Sequence, residues 1–214
     1  MKTDALIEAL ARGPIATDPR LPERRLAGAM AIGTVLAATA LLALLGIRDD
    51  FASAAAQPMF WMKLAFPIGL ALAAFAATAR LARPGDRAAA ACGAIATLLV
   101  LLWALALVAL AQAPAGTRAA LVAGTTALPC VASVVALSVP LFVAALLALR
   151  SLAPTRPRAA GAAAGLLAGA AAAAVYALHC TETALPFLAV WYVLGMTIPA
   201  AFGAIVGPRL LRWS

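Results

Sequence analysis

Six long apolar runs follow one another along the chain, each closed by a charged residue, a proline or a glycine. They fall at about 26–47, 60–79, 88–111, 126–149, 160–178 and 185–206. At a rise of about 1.5 Å per residue, roughly 20 residues cross a hydrocarbon core of about 30 Å. Each run therefore predicts one membrane-spanning helix, and the short connections predict three antiparallel hairpins. The run from 26 to 47 exceeds the roughly 7–15 apolar residues of a signal-peptide core, so it reads as an uncleaved first span. The resulting fold class is an all-α membrane protein: a segment 1–25, a six-helix domain 26–208 and a short tail 209–214.

Composition excludes the soluble alternatives. Of 214 residues, 65% are hydrophobic and only 11% are charged, with a mean hydropathy of +1.02. A soluble domain carries about 25% charged residues. The net charge of +8 raises nucleic acid as a partner, but the basic residues sit singly between apolar runs. That is the pattern of membrane-topology signals rather than of a phosphate-tracking patch, so the expected contact is lipid, with no direct nucleic acid. One side collects thirteen Lys and Arg residues: Lys2, Arg12, Arg20, Arg24, Arg25, Arg80, Arg83, Arg87, Arg150, Arg156, Arg158, Arg209 and Arg212. The other holds Arg48, Lys63 and Arg118. The positive-inside rule then predicts both termini in the cytoplasm. No ionisable residue falls in the middle of a proposed span, which argues against a proton relay, an ion-coupled transporter or a metal exporter.

Two features qualify the picture of plain apolar helices. In the first segment, Thr3 can cap a short helix with Asp4 in its first turn and Leu6, Ile7 and Leu10 on one face, until Gly13-Pro14 stops it. Alone in water such a helix is marginal, so the segment is either a frayed tail or a docking helix that orders against a partner. In the fifth run Gly161, Gly165 and Gly169 recur every four residues, and Gly203 and Gly207 repeat the spacing in the sixth. Small residues let backbones approach closely in lipid, which predicts the fifth span inside the bundle. Trp61, Trp191 and Tyr192 read as interface anchors.

The reactive chemistry is sparse. His179-Cys180-Thr181-Glu182-Thr183 holds the sole histidine and the only acidic residue after Asp86. Cys180 ends the fifth span on its outer side. Cys130 lies twenty residues before Arg150, about 30 Å of helix, and reaches the same boundary. Cys92 sits near the opposite side and reads as a small apolar residue. The outer pair admits three readings. It is a structural disulfide, a redox-responsive thiol pair, or a metal site with Cys130, Cys180, His179 and Glu182 as ligands. His179 can instead tune the thiolate. Glu182, Thr181 or Thr183 can equally serve as a cap for the sixth span, and Glu182 can be a solvated loop charge. A membrane thiol–disulfide oxidoreductase coupled to quinone is the competing class, but the chain lacks a Cys-x-x-Cys pair.

Several short stretches carry a family resemblance: Met1-Lys2-Thr3-Asp4 with Leu6-Ile7 and Leu10, Phe60-Trp61-Met62-Lys63-Leu64, Pro129-Cys130, and His179-Cys180-Thr181-Glu182. Pro186-Phe187, Trp191-Tyr192 and Gly207-Pro208-Arg209-Leu210-Leu211-Arg212-Trp213 complete the set. With these the whole chain resembles the NrsF-type membrane anti-sigma factors of proteobacteria. The resemblance implies a six-helix inner-membrane protein, without catalytic activity, that holds an extracytoplasmic-function sigma factor inactive. It implies that the N-terminal segment, with Thr3, Asp4, Leu6, Ile7 and Leu10, is the sigma-binding part. It also implies that Cys130 and Cys180 sense oxidants or heavy metals, with no cofactor beyond a transiently bound metal.

Overall fold

A computed structural model describes Glu8 and residues 20–83, 88–152 and 154–211. Thr3, Asp4, Leu6, Ile7 and Leu10 lie outside the described residues. The helices are α1 Leu21–Leu44, α2 Phe51–Ala55, α3 Pro58–Leu81, α4 Ala89–Gln112, α5 Arg118–Ala123, α6 Ala127–Arg150, α7 Pro157–Tyr176 and α8 Leu185–Leu210. Prolines at the first helical positions start α1, α3, α7 and α8, where a missing N–H costs nothing. Among the described residues six helices are long and apolar enough to cross a membrane. The short α2 and α5 lie in the connections between them; α5 ends at Gly124, whose φ of 57° suits a residue without Cβ.

The outward surface is apolar: Leu44 is 83% exposed, and Leu128, Val100 and Leu72 are exposed too. α4 buries little more than Ala91, Leu102 and Ala106. A water-facing surface does not carry apolar area on this scale, whereas a hydrocarbon surround matches it. Cys92 belongs to that surface; it is exposed rather than a core filler.

The alanine- and glycine-rich α7 runs through the centre, with residues from Ala160 to Tyr176 buried along its length. Its closest neighbour is α8, followed by α3 and α6. A Cβ placed on Gly161 would run into the carbonyl of Gly203, and one on Gly203 into the carbonyl of Gly161. A Cβ on Gly165 would meet the carbonyl of Pro199, and one on Gly207 that of Pro157. The two glycine series are thus the two faces of one seam. Elsewhere the expected hairpins are not the packing units. α1 lies along α6, where Gly33 faces Leu141, and it only grazes α3.

Hydrogen bonds mark the two ends of the bundle. At one, Arg25 Nη1 donates to Ser151 Oγ at 2.9 Å and Arg83 pairs with Glu23 at 2.8 Å. At the other, the connections 45–57, 113–126 and 177–184 converge, and both outer-side cysteines of the sequence reading lie there.

Candidate functional site

The site forms where α6 begins and α7 ends. Cys130 stands in the first turn of α6, its N–H on the Thr126 carbonyl at 2.8 Å, with its side chain fully buried. After Tyr176 the chain leaves the helix, and Cys180 N–H turns back to the Tyr176 carbonyl at 3.1 Å. This turn directs the Cys180 side chain inward, where it is 3% exposed. Both cysteines are free thiols, and their side chains lie close enough for each to shift the other's ionisation.

The backbone of Cys180 is held by cations. Lys63 Nζ donates to its carbonyl at 2.6 Å, and Arg48 Nη1 reaches the same oxygen at 3.4 Å. Arg48 also grips Asp50 through two hydrogen bonds of 2.6 and 2.7 Å, which raise the guanidinium pKa and lower that of the carboxylate. Lys63 stays at the end where the sequence counts it among the outer topology charges, in the second turn of α3 rather than at mid-span. Its side chain is nonetheless only 1% exposed, beneath the Tyr192 ring at 5.6 Å from its centroid. Tyr192 is fully buried rather than an interface anchor, because residues Leu188–Tyr192 wind as a π turn at the start of α8. Its hydroxyl lies beside Cys180 without completing a hydrogen bond. Tyr176 stacks obliquely between Tyr192 and His179, at 6.2 and 5.8 Å.

The remaining polar residues of the cluster turn elsewhere. His179 Nδ1 meets the Gly46 carbonyl at 3.0 Å. Glu182 Oε1 accepts from Thr125 N–H and Thr125 Oγ, each at 2.8 Å, so it ties the α7–α8 connection to the one before α6. Burial pushes the Glu182 carboxyl up, but the two Thr125 donors outweigh it and the pKa is lowered. Neither Glu182, Thr181 nor Thr183 caps α8, whose N-cap is Ala184 with no side-chain bond. Among the described residues no three His, Cys, Asp or Glu side chains gather as metal ligands. The structure brings Cys130 and Cys180 together and leaves His179 and Glu182 outside the pair.

The pair can do thiol chemistry. The neighbouring Cys130 thiol lowers the Cys180 pKa below the ordinary thiol value, burial opposes this, and the Lys63 ammonium adds to the lowering. A cavity of about 460 Å³, lined by Arg48, Asp50, Thr126, Tyr176, His179 and Cys180, opens beside Cys180. A small reagent can enter there.

A family model described as negative regulator of sigma F matches residues 10–213. The chain belongs to the NrsF family. It is 44% identical over 213 residues to a protein of Azospira oryzae named probable anti-sigma-F factor NrsF, covering 100% of both chains. It is 38% identical over 219 residues to the anti-sigma-F factor NrsF of Caulobacter vibrioides, again covering 100% of both. No solved structure matches. By these names the NrsF relatives are regulators rather than enzymes. Within this NrsF chain, Lys63, Tyr176, Tyr192 and Thr125 are the site residues that sequence reasoning missed. The one available signal was Lys63, a cation only a turn into an apolar run.

Proposed function

We propose that this protein is an anti-sigma factor of a bacterial cytoplasmic membrane that holds an extracytoplasmic-function sigma factor and releases it when Cys130 and Cys180 are oxidised. Both termini face the cytoplasm, residues 1–25 bind the sigma factor, and the end bearing the two thiols faces outward. The observation that supports this best is a pair of free, buried cysteines drawn from two separate elements, α6 and the α7–α8 connection. The pair lies at the end opposite the Arg25–Ser151 and Arg83–Glu23 contacts, and the thirteen-to-three division of basic residues assigns that end to the outside. A peroxide takes two electrons from the pair, forming one disulfide and two waters. Joining α6 to the end of α7 alters how these helices pack, which biases the bundle between a sigma-holding and a sigma-releasing arrangement.

The test is induction of the sigma-dependent genes by peroxide, together with co-purification of the sigma factor. Cys130→Ser and Cys180→Ser should abolish induction and keep the sigma factor bound, and Leu6→Asp should release it without any oxidant. Equal induction in wild type and both cysteine variants would sink the sensing role. Undiminished co-purification of Leu6→Asp would remove the N-terminal segment from the contact.

A further inference from the structure

Lys63 is a buried amine whose observed partners, the Cys180 carbonyl and the Tyr192 ring, carry no formal charge. An ammonium taken out of water is strongly disfavoured unless an anion stands near it. The titratable and charged groups around it and Cys180 can be taken element by element. From the α1–α2 connection come Arg48, already paired with Asp50, and the exposed Asp49. From α6 comes Cys130; from α7 Tyr176 and from α8 Tyr192, phenols that ionise only near pH 10 when unperturbed. The α7–α8 connection supplies His179, on the Gly46 carbonyl, Glu182, held by Thr125, and Cys180 itself. Cys180 is the acid left, its carbonyl already on the Lys63 amine at 2.6 Å and its buried side chain beside that of Cys130.

We propose that Lys63 is the counter-charge of a Cys180 thiolate, so that it sets the reactivity of the thiol pair and carries the charge change on oxidation into α3. The proposal rests on the reading of Cys130 and Cys180 as the responsive pair. The Cys180 thiolate attacks one peroxide oxygen, the O–O bond breaks, and the departing hydroxide takes a proton from the buffer acid of the bulk solvent and becomes water. The Cys130 thiol then attacks the resulting sulfenic acid; the S–O bond breaks, the S–S bond forms, and the thiol proton departs with the hydroxyl as water. Two electrons have passed from the pair to one peroxide. Where a thiolate faced Lys63 there is now a neutral disulfide, and the ammonium loses its partner. It must then shed its proton or leave its slot. α3 packs along α7 and runs from this cluster to Leu81, two residues short of the Arg83–Glu23 pair at the far end. A displacement of its first turns therefore has a rigid element to travel along.

The experiment measures the rate at which the full chain, carrying Cys92→Ser and held in phospholipid nanodiscs, reacts with peroxide and with methyl methanethiosulfonate. It spans about pH 5 to about pH 9, with the modified cysteine assigned by mass spectrometry. In the protein with Lys63 intact, the Cys180 rate should level off below the ordinary thiol range near pH 8.5. Lys63→Met should slow it on the order of tenfold at neutral pH and shift the profile toward an ordinary thiol, each tenfold being one pH unit. Lys63→Arg should restore part of the rate. If the intact protein's rate climbs through pH 8.5 like a free thiol's, no thiolate–ammonium pair exists, and this result needs no variant to fold. An unchanged Lys63→Met profile also overturns the proposal, while leaving the thiol pair as sensor. Failure of the Cys130→Ser and Cys180→Ser variants to alter induction is the separate result that removes the reading beneath it.

Discussion

The two ends of α7 are packed on opposite principles. Over Gly161, Gly165 and Gly169 it meets α8 backbone to backbone, with no room for one added carbon. Past Tyr176 the same stretch of chain enters a cluster built from a buried amine, two thiols and two phenols, with the amine held by a main-chain carbonyl. The seam is specified by shape and tolerates no increase in volume. The cluster is specified by charge and donor–acceptor matching, and it tolerates a change of shape better than a change of charge. A long apolar helix can thus be locked by shape over most of its length and still end beside a polar, thiol-bearing cluster.

The sharpest break in this contrast is Gly165→Leu. Its Cβ meets the Pro199 carbonyl, a backbone atom that cannot step aside. Overpacking costs about 1–3 kcal/mol even where side chains can yield, so the variant should fail to run as a single species in detergent. A monodisperse protein melting like wild type would show that the seam is not the scaffold.

Glu182→Gln has the next largest effect and acts only on the cluster. It weakens the two hydrogen bonds from Thr125, a loss on the order of 1 kcal/mol after allowing for solvent at this half-buried site. The pKa of this carboxyl is lower in the folded protein than in the unfolded chain. Its contribution is therefore fully present above the unfolded value of about 4.3, and it fades as pH falls through the lower folded value. Wild type should melt above Glu182→Gln at neutral pH, and the gap should close in acid; a gap independent of pH would contradict the assignment.

Trp191→Phe should do least. It removes one hydrogen bond, from Nε1 to the Val122 carbonyl at 2.8 Å, and keeps most of the ring. A loss of about 1 kcal/mol or less is expected by thermal shift, with peroxide induction unchanged. A collapse as severe as that of Gly165→Leu would mean that the connections, not the seam, hold the bundle together.

Much of this contrast was legible along the chain. The glycine spacing in the fifth and sixth runs pointed to a close approach, and counting twenty residues back from Arg150 put Cys130 at the depth of Cys180. The partners were not legible. Nothing in the order of residues says that Glu182 meets Thr125, 57 positions away, or that α1 settles on α6 rather than on α3. The burial of Lys63 was not legible, because a cation near the end of an apolar run has the same one-dimensional signature whether it points outward or in beneath Tyr192.

By itself, then, the sequence determined the number of long apolar helices, their approximate lengths and the helix end at which Cys130 and Cys180 fall, because hydropathy and a fixed rise per residue are local properties. Only the tertiary structure decided which helices lie side by side and which side chains turn inward. The reason is physical: lipid tails and a protein core are both apolar, so a spanning helix bears little record of which face it buries. That choice falls to complementary shapes such as Gly161 against Gly203, and to the few donors and acceptors, Lys63 foremost, that need a partner out of water.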